Sequence, residues 1–445
     1  MNRRSLLGGA AALALAPSVV PVRAQDARTK VVFWHAMTAA LGDEVNRLAT
    51  AFNASQTQFE VQPVFKGTYP ETLTAAIAAF RAGQAPNLVQ VFEVGTGTML
   101  AAGAAVKQAW QLVQETGVAI KPADYIPAVR GYYSLADGRM ASVPFNSSTA
   151  VMWINKDAFE KAGLDPAKPP TTYDEVHAAG EALKSKNAVE IPISTGWFSW
   201  IQLEEYAAIH NIAFASEGDG FDGLGAELQL NKPDFVKQMQ RFLDWQKAGF
   251  FKYGGRDNQA DSVFLSGQVG IGFNSSGERG DLIKSAKFKW APAFLPYDPA
   301  ITKQPINSII GGASLWTMTA PNRTAADYKA VAEFLAFLAQ PQNAADWHQH
   351  TGYVPVTLAG YELSKKQGYY EKNPGTELPI QQLTRGTVTA NSRGLRLGRL
   401  PEIRNIIYEE VEKALQGQQT AQAAMDSATS RGNRVLREFE KSVHT

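Results

Sequence analysis

The sequence predicts an α/β protein built as two lobes, each a doubly wound sheet flanked by helices. Three observations carry that reading. The chain has 445 residues, more than one hydrophobic core accommodates. A strand–helix–strand–helix–strand series occupies residues 29–95. A second such series begins after residue 150 with no flexible linker before it. With 45% hydrophobic and 19% charged residues the composition is globular. Lys+Arg 43 against Asp+Glu 42 leaves no basic excess, which argues against a nucleic-acid partner. The absence of cysteine excludes disulfides, thiolate metal sites and a cysteine nucleophile.

Taken in order, residues 1–24 read as a signal peptide. Arg3 and Arg4 precede the apolar run "LLGGAAALALAPSVV", and Val22 and Ala24 set a small-residue cleavage pattern. "NRRSLL" resembles a twin-arginine signal, so export by either the Sec or the twin-arginine route follows. "TKVVFWHAM" (29–37) is a β-rich run, and Leu41, Val45, Leu48 and Phe52 then recur at helical spacing. "FEVQPVFKG" alternates like a strand, "ETLTAAIAAFRAG" is an Ala-rich helix stopped by Gly83 and Pro86, and "NLVQVFEVG" is a strand ending in Glu93. In the second series "VMWINKDAF" is strand-like, and Thr172 with Glu175 forms a capping box for the helix "YDEVHAAGEALKS". "GQVGIGFNSSG" is a further strand running into a small-residue loop, and the last 120 residues are mainly helical. The lobes are expected at 25–148 with 290–325, and at 149–289 with 326–445. A ligand cleft lies between them, where strand-end loops converge.

Catalytic signatures are missing: there is no HExxH, G-x-S-x-G or Walker loop. "EVGTGTM" lacks the third glycine of a dinucleotide loop. His348 and His350 of "HQH" do not share a helix face, which places them on the surface rather than on a metal. "EGDGFDG" lacks the register of a calcium loop and reads as a surface turn. What the chain does offer is three loops of small and hydroxyl residues, "FNSSTA" (145–150), "FNSSG" (273–277) and "IIGGAS" (309–314). Backbone N–H groups and hydroxyls with little bulk around them suit a phosphate, whose oxygens need several converging donors. "RGLRLGRLPEIR" sets Arg393, Arg396, Arg399 and Arg404 among leucines and glycines. Such arginines are either a surface strip paired with carboxylates or inward-pointing groups that need an anion.

Together, "VFWHAM", "YPETLTAAIAAFRAGQAPNLVQVFEVGTGTM", "PFNSSTAVMWINKDAFEKAGLDP", "GWFSWIQLE", "IIGGASLW", "DWHQHTGYVPVT" and "GLRLGRLPEIR" resemble the glycerol-3-phosphate-binding members of the extracellular solute-binding proteins. The resemblance runs in order through essentially the whole chain after residue 24. It implies a type II-like periplasmic-binding-protein fold, no enzymatic activity, no cofactor and no metal. It also implies a periplasmic monomer that hands its ligand to the permease subunits of an ABC importer with a cytoplasmic ATPase. Residue by residue, it implies ligand contacts from Tyr69, Glu93, Ser148, Trp197, Trp200, Ser275 (with Ser276 as the alternative), Gly312, Tyr353 and Arg396. In that reading Arg396 is the phosphate's charge partner, while Glu93, which would repel a phosphate, sits at the glycerol end. Trp197 and Trp200 line the cleft and Phe198 turns into the core. The ligand is sn-glycerol-3-phosphate or one of its diesters. The rivals are the same fold selective for glycerophosphocholine or for a sugar, and, more remotely, a secreted hydrolase.

Overall fold

The computed structural model describes residues 28–443; the expected signal segment lies outside the described residues. Among the described residues, eleven strands form two mixed sheets: β1 (Thr29–His35), β2 (Phe59–Phe65), β3 (Leu88–Phe92), β4 (Val106–Lys107), β5 (Val143–Ser148), β6 (Ala150–Asn155), β7 (Ile191–Thr195), β8 (Phe251–Tyr253), β9 (Val269–Ser275), β10 (Trp290–Ala293) and β11 (Gly311–Met318). The first sheet runs β2-β1-β3-β11-β4, with β5 also paired to β11; the second runs β10-β6-β9-β7-β8. Strands β2, β1 and β3 are mutually parallel, as are β9, β7 and β8. These are the strands whose helical crossovers are legible in the sequence. The antiparallel members β6 and β11 enter their sheets from the opposite lobe, so no local crossover sets their direction.

Local signals act where they are expected. The helix Tyr173–Ser185 opens on the expected Thr172/Glu175 capping box; the structure adds a Thr68/Glu71 box, not read from the sequence, at the start of Tyr69–Arg81. The lobe boundaries differ from expectation at two places. Trp290–Ala293, expected in the first lobe, pairs with β6 of the second sheet. The helix Ala325–Leu338, expected in the second, packs on β1. Its Val331, Phe334 and Leu335 share a core with Val31, Phe33 and Phe52, and the Phe33 and Phe334 ring centroids lie 6.1 Å apart. The C-terminal helices Leu400–Leu415 and Ala421–Val443 do pack on the second lobe, against the helix Pro233–Ala248.

Two further segments depart from their sequence reading. His348, expected on the surface, is buried. One ring nitrogen meets the Tyr353 carbonyl at 2.5 Å and the other the Tyr370 hydroxyl at 2.8 Å. In "EGDGFDG" the backbone of Glu217–Asp219 is left-handed (φ 52°, 53° and 57°). Asp219 is buried there, accepting from the Ala215 N–H at 2.7 Å.

Candidate functional site

The chain passes from the first sheet to the second within one residue. Ser148 ends β5 opposite Gly311 of β11, and Ala150 begins β6 opposite Ser275 of β9. Pairing therefore brings all three small-residue loops to one point, although Ala150 and Ser275 lie 125 positions apart in the chain and Ser148 and Gly311 163. Thr149, between the strands, is held by buried Glu205. That carboxylate accepts from the Thr149 hydroxyl (3.1 Å), the Ala150 N–H (3.1 Å) and the Ile309 N–H (3.0 Å), and so ties both crossing strands together. Burial pushes the Glu205 carboxyl up to about 8 against these donors.

In front of this crossing lies a cavity of about 430 Å³, within the usual range for small-ligand sites. Tyr69, Glu93, Ser148, Trp197, Trp200, Ser275, Gly312 and Tyr353 all line it. Ser276 does not; its hydroxyl accepts from the Thr149 N–H at 3.4 Å. Gly312 holds φ +87°, and a Cβ there would stand 1.9 Å from the Asn146 carbonyl oxygen, so only glycine fits. Behind Tyr69 runs a chain of amides. The Ala36 N–H donates to Gln90 (2.8 Å), Gln90 to Asn146 (2.7 Å), and Asn146 to the Tyr69 oxygen (2.7 Å). The Tyr69 oxygen accepts from this chain, and the Tyr69 and Tyr353 hydroxyls interact with each other. The Tyr69 ring stacks on Phe92 at 5.5 Å, and the Tyr353 ring on Trp347 at 5.9 Å, which fixes both hydroxyls in direction.

The two tryptophans are placed by an unusual helix start. Trp197 has φ 44°, and Ser199–Glu204 is a π-helical turn, a rare arrangement that recurs at functional sites. The rings meet edge to face at 6.4 Å. Trp200 lies against Gly311, where a Cβ would come within 2.3 Å of the indole, and its buried N–H has no partner. Phe198 between them is fully buried against Phe242 and Tyr253.

Of the charged centre the sequence reading named Glu93 alone; it did not assign Arg404 or Glu204 to the site. Arg404, on the buried stripe Leu400, Ile403, Arg404, Ile407 and Val411 of its helix, lines the cavity. It donates to Glu93 (2.7 Å) and twice to Glu204 (2.8 and 2.7 Å); Ser199 also donates to Glu204 at 2.9 Å. Burial, with Glu204 adding like charge and Arg404 opposing, lifts the Glu93 carboxyl to about 7. Arg396, expected as the phosphate's partner, is not among the cavity's lining residues. Its guanidinium donates to the Tyr132 and Ser134 carbonyls and lies 4.1 Å over the Phe221 ring. The left-handed segment turns it that way, since the Arg396 N–H donates to the Asp219 carbonyl at 2.9 Å. Arg393 and Arg399 pair with Asp222 and Glu438 nearer the surface. A charge inside an apolar helix stripe was the available signal for Arg404.

Two mixed sheets joined by crossing strands, with a polar and aromatic cavity at the crossing, define a two-lobed receptor for small molecules. The chain belongs to the bacterial extracellular solute-binding protein family, whose sequence model matches residues 47–376. It is 44% identical over 94% of its length, and 94% of the relative's, to the sn-glycerol-3-phosphate-binding periplasmic protein UgpB of Pectobacterium atrosepticum. To the protein of that name from Salmonella typhimurium it is 43% identical, over 99% and 98% of the two chains. Among solved structures, UgpB from Mycobacterium tuberculosis in complex with glycerophosphocholine superposes with a TM-score of 0.76 at 20% identity. The match covers 92% of this chain and 99% of that one. A cyclic alpha-maltosyl-1,6-maltose binding protein from Arthrobacter globiformis gives 0.69 at 21%, over 92% and 100%. At that identity the structural matches speak for the fold.

Proposed function

We propose that this protein captures sn-glycerol-3-phosphate in the periplasm and delivers it to the permease of an ABC importer. The observation that carries the reading is the meeting of Ser148, Ser275 and Gly312 with the Tyr69 and Tyr353 hydroxyls, beside the Glu93–Arg404 pair. The names of the full-length relatives point the same way. The phosphate is held at the strand ends by neutral donors, which replace its water without a fixed counter-charge. Arg404 already faces two carboxylates, so it has no uncompensated charge to give a dianion. It serves the glycerol end, donating to one hydroxyl while Glu93 accepts from another. Trp197 and Trp200 cover the C–H edges and exclude water, which strengthens every polar contact. Because Tyr69 and Glu93 come from one lobe and Trp197, Trp200 and Arg404 from the other, the ligand favours the closed arrangement of the lobes.

The test is calorimetric titration of the signal-free chain with glycerol-3-phosphate, with maltose as control. Tight saturable heat with the phosphate ester and none with maltose supports the reading. Binding of maltose alone refutes it.

A further inference from the structure

The cavity extends past these positions into an acidic arm made by Asp261, Glu278 and Asp281. Glu278 is only 6% exposed and lines the cavity; neither carboxylate oxygen has a cation or a well-formed hydrogen bond, and the neighbouring Asn274 amide pulls only weakly on it. The Asn274 amide beside it donates to Asp261 at 2.6 Å, and Asn258 donates to the other Asp261 oxygen at 2.8 Å. The cations of the same region bond to other partners, although Lys284 lies near enough to Asp281 to offset part of its charge. Lys284 meets Asp43 at 3.1 Å, and Arg279 reaches the Gln349 carbonyl and Asn373 at 3.2 and 3.3 Å. Burial, with Asp261 close by, holds the Glu278 carboxyl well above the usual range, as expected of an uncompensated group. Among the described residues no three acidic or histidine groups are spaced to hold a metal ion. A buried acceptor pair without a donor is costly unless a ligand supplies one.

Position and lining narrow what that ligand group is. Glu278 follows Gly277, whose N–H donates to Ser275 at 3.1 Å, so the arm begins beside the strand ends assigned to the phosphate. The lining of the arm is mixed: Leu265 and Leu41 are aliphatic, while the edge of the Tyr353 ring reaches Gly277, next to Glu278. A quaternary ammonium donates nothing and would leave both Glu278 oxygens unpaired, whereas a primary ammonium brings three N–H donors to them. We propose that the arm is a subsite for a primary ammonium carried on the ligand's phosphate, so that a glycerophosphoethanolamine-type diester is preferred over its choline counterpart. This rests on the function proposed above and extends it.

The test titrates the signal-free chain, and its Glu278→Gln and Asp261→Asn variants, with glycerol-3-phosphate, glycerophosphoethanolamine and glycerophosphocholine. Two charge-assisted hydrogen bonds present in one diester and absent from the other predict at least about a tenfold preference for the ethanolamine diester. That preference collapses toward unity in Glu278→Gln and shrinks in Asp261→Asn. A wild-type ratio near or below one overturns the subsite, as does a ratio that both variants keep, even while glycerol-3-phosphate still binds. Failure of all three ligands to bind wild type overturns the parent reading as well.

Discussion

Replacing Arg404 with alanine tests the charged centre from two sides at once. The substitution removes three charge-assisted hydrogen bonds of 2.7, 2.7 and 2.8 Å, and leaves Glu93 and Glu204 with side chains 7% and 0% exposed and no cation. Stranding buried carboxylates in this way costs about 3–5 kcal/mol, more than the pair itself contributes over an apolar replacement. Urea unfolding should show that loss. A triple variant, Arg404→Met with Glu93→Gln and Glu204→Gln, should recover most of it because no charge is stranded. In both proteins glycerol-3-phosphate should bind at least roughly tenfold more weakly, since a charged donor to the ligand contributes about 1.5–3 kcal/mol. Arg396→Ala supplies the contrast. Its guanidinium holds two backbone carbonyls and covers Phe221, so stability falls by about 1–3 kcal/mol while ligand affinity stays within about twofold. Unchanged binding in Arg404→Ala together with lost binding in Arg396→Ala would refute this assignment of the two arginines. A stability loss below about 1 kcal/mol in Arg404→Ala would refute the stranded-charge reasoning.

Two further outcomes follow from single positions. Gly312→Ala forces a Cβ against the Asn146 carbonyl at a left-handed φ, and should cost at least ~2 kcal/mol in urea unfolding and weaken binding. His210 is buried with one nitrogen on the Tyr206 carbonyl (2.7 Å) and the other accepting from the Asp298 N–H (2.7 Å), so the native state holds it neutral. Burial lowers its pKa from 6.5 to about 4. The unfolded chain therefore takes up this proton first, and stability is lost as pH falls from 6.5 toward 4, by ~2 kcal/mol at pH 5. In His210→Gln the urea midpoint should fall less between pH 7 and 5; an equal fall would remove His210 from the account.

Much of this molecule was readable before any coordinates. The parallel strands of both sheets announced themselves through alternation and crossover helices, and Thr172 and Gly83 mark element ends through purely local chemistry. The small-residue loops were recognisable because their composition alone supplies donors without bulk. Composition left Phe198 and its two tryptophan neighbours undecided between core and wall; the surrounding donors, the arginine cluster and the family resemblance separated them, and Phe198 is the buried one. The lobe assignment of Trp290–Ala293 and Ala325–Leu338 was not readable in this way. Each is a good strand or helix in either lobe, and only long-range pairing chooses between them.

The arginines show most plainly where the sequence stops. By itself it determined that "RGLRLGRLPEIR" carries guanidinium groups among apolar residues, and that any of them turned inward needs an anion. Which arginine enters the cleft was decided by tertiary structure. The left-handed turn at Glu217–Asp219 draws Arg396 onto backbone carbonyls, and packing of the last helices aims Arg404 between Glu93 and Glu204. Those two acids lie 311 and 200 residues away in the chain. The cause is physical: local propensity acts over a few residues, whereas a buried charge is stabilised by whichever opposite charges the whole fold brings within hydrogen-bonding reach.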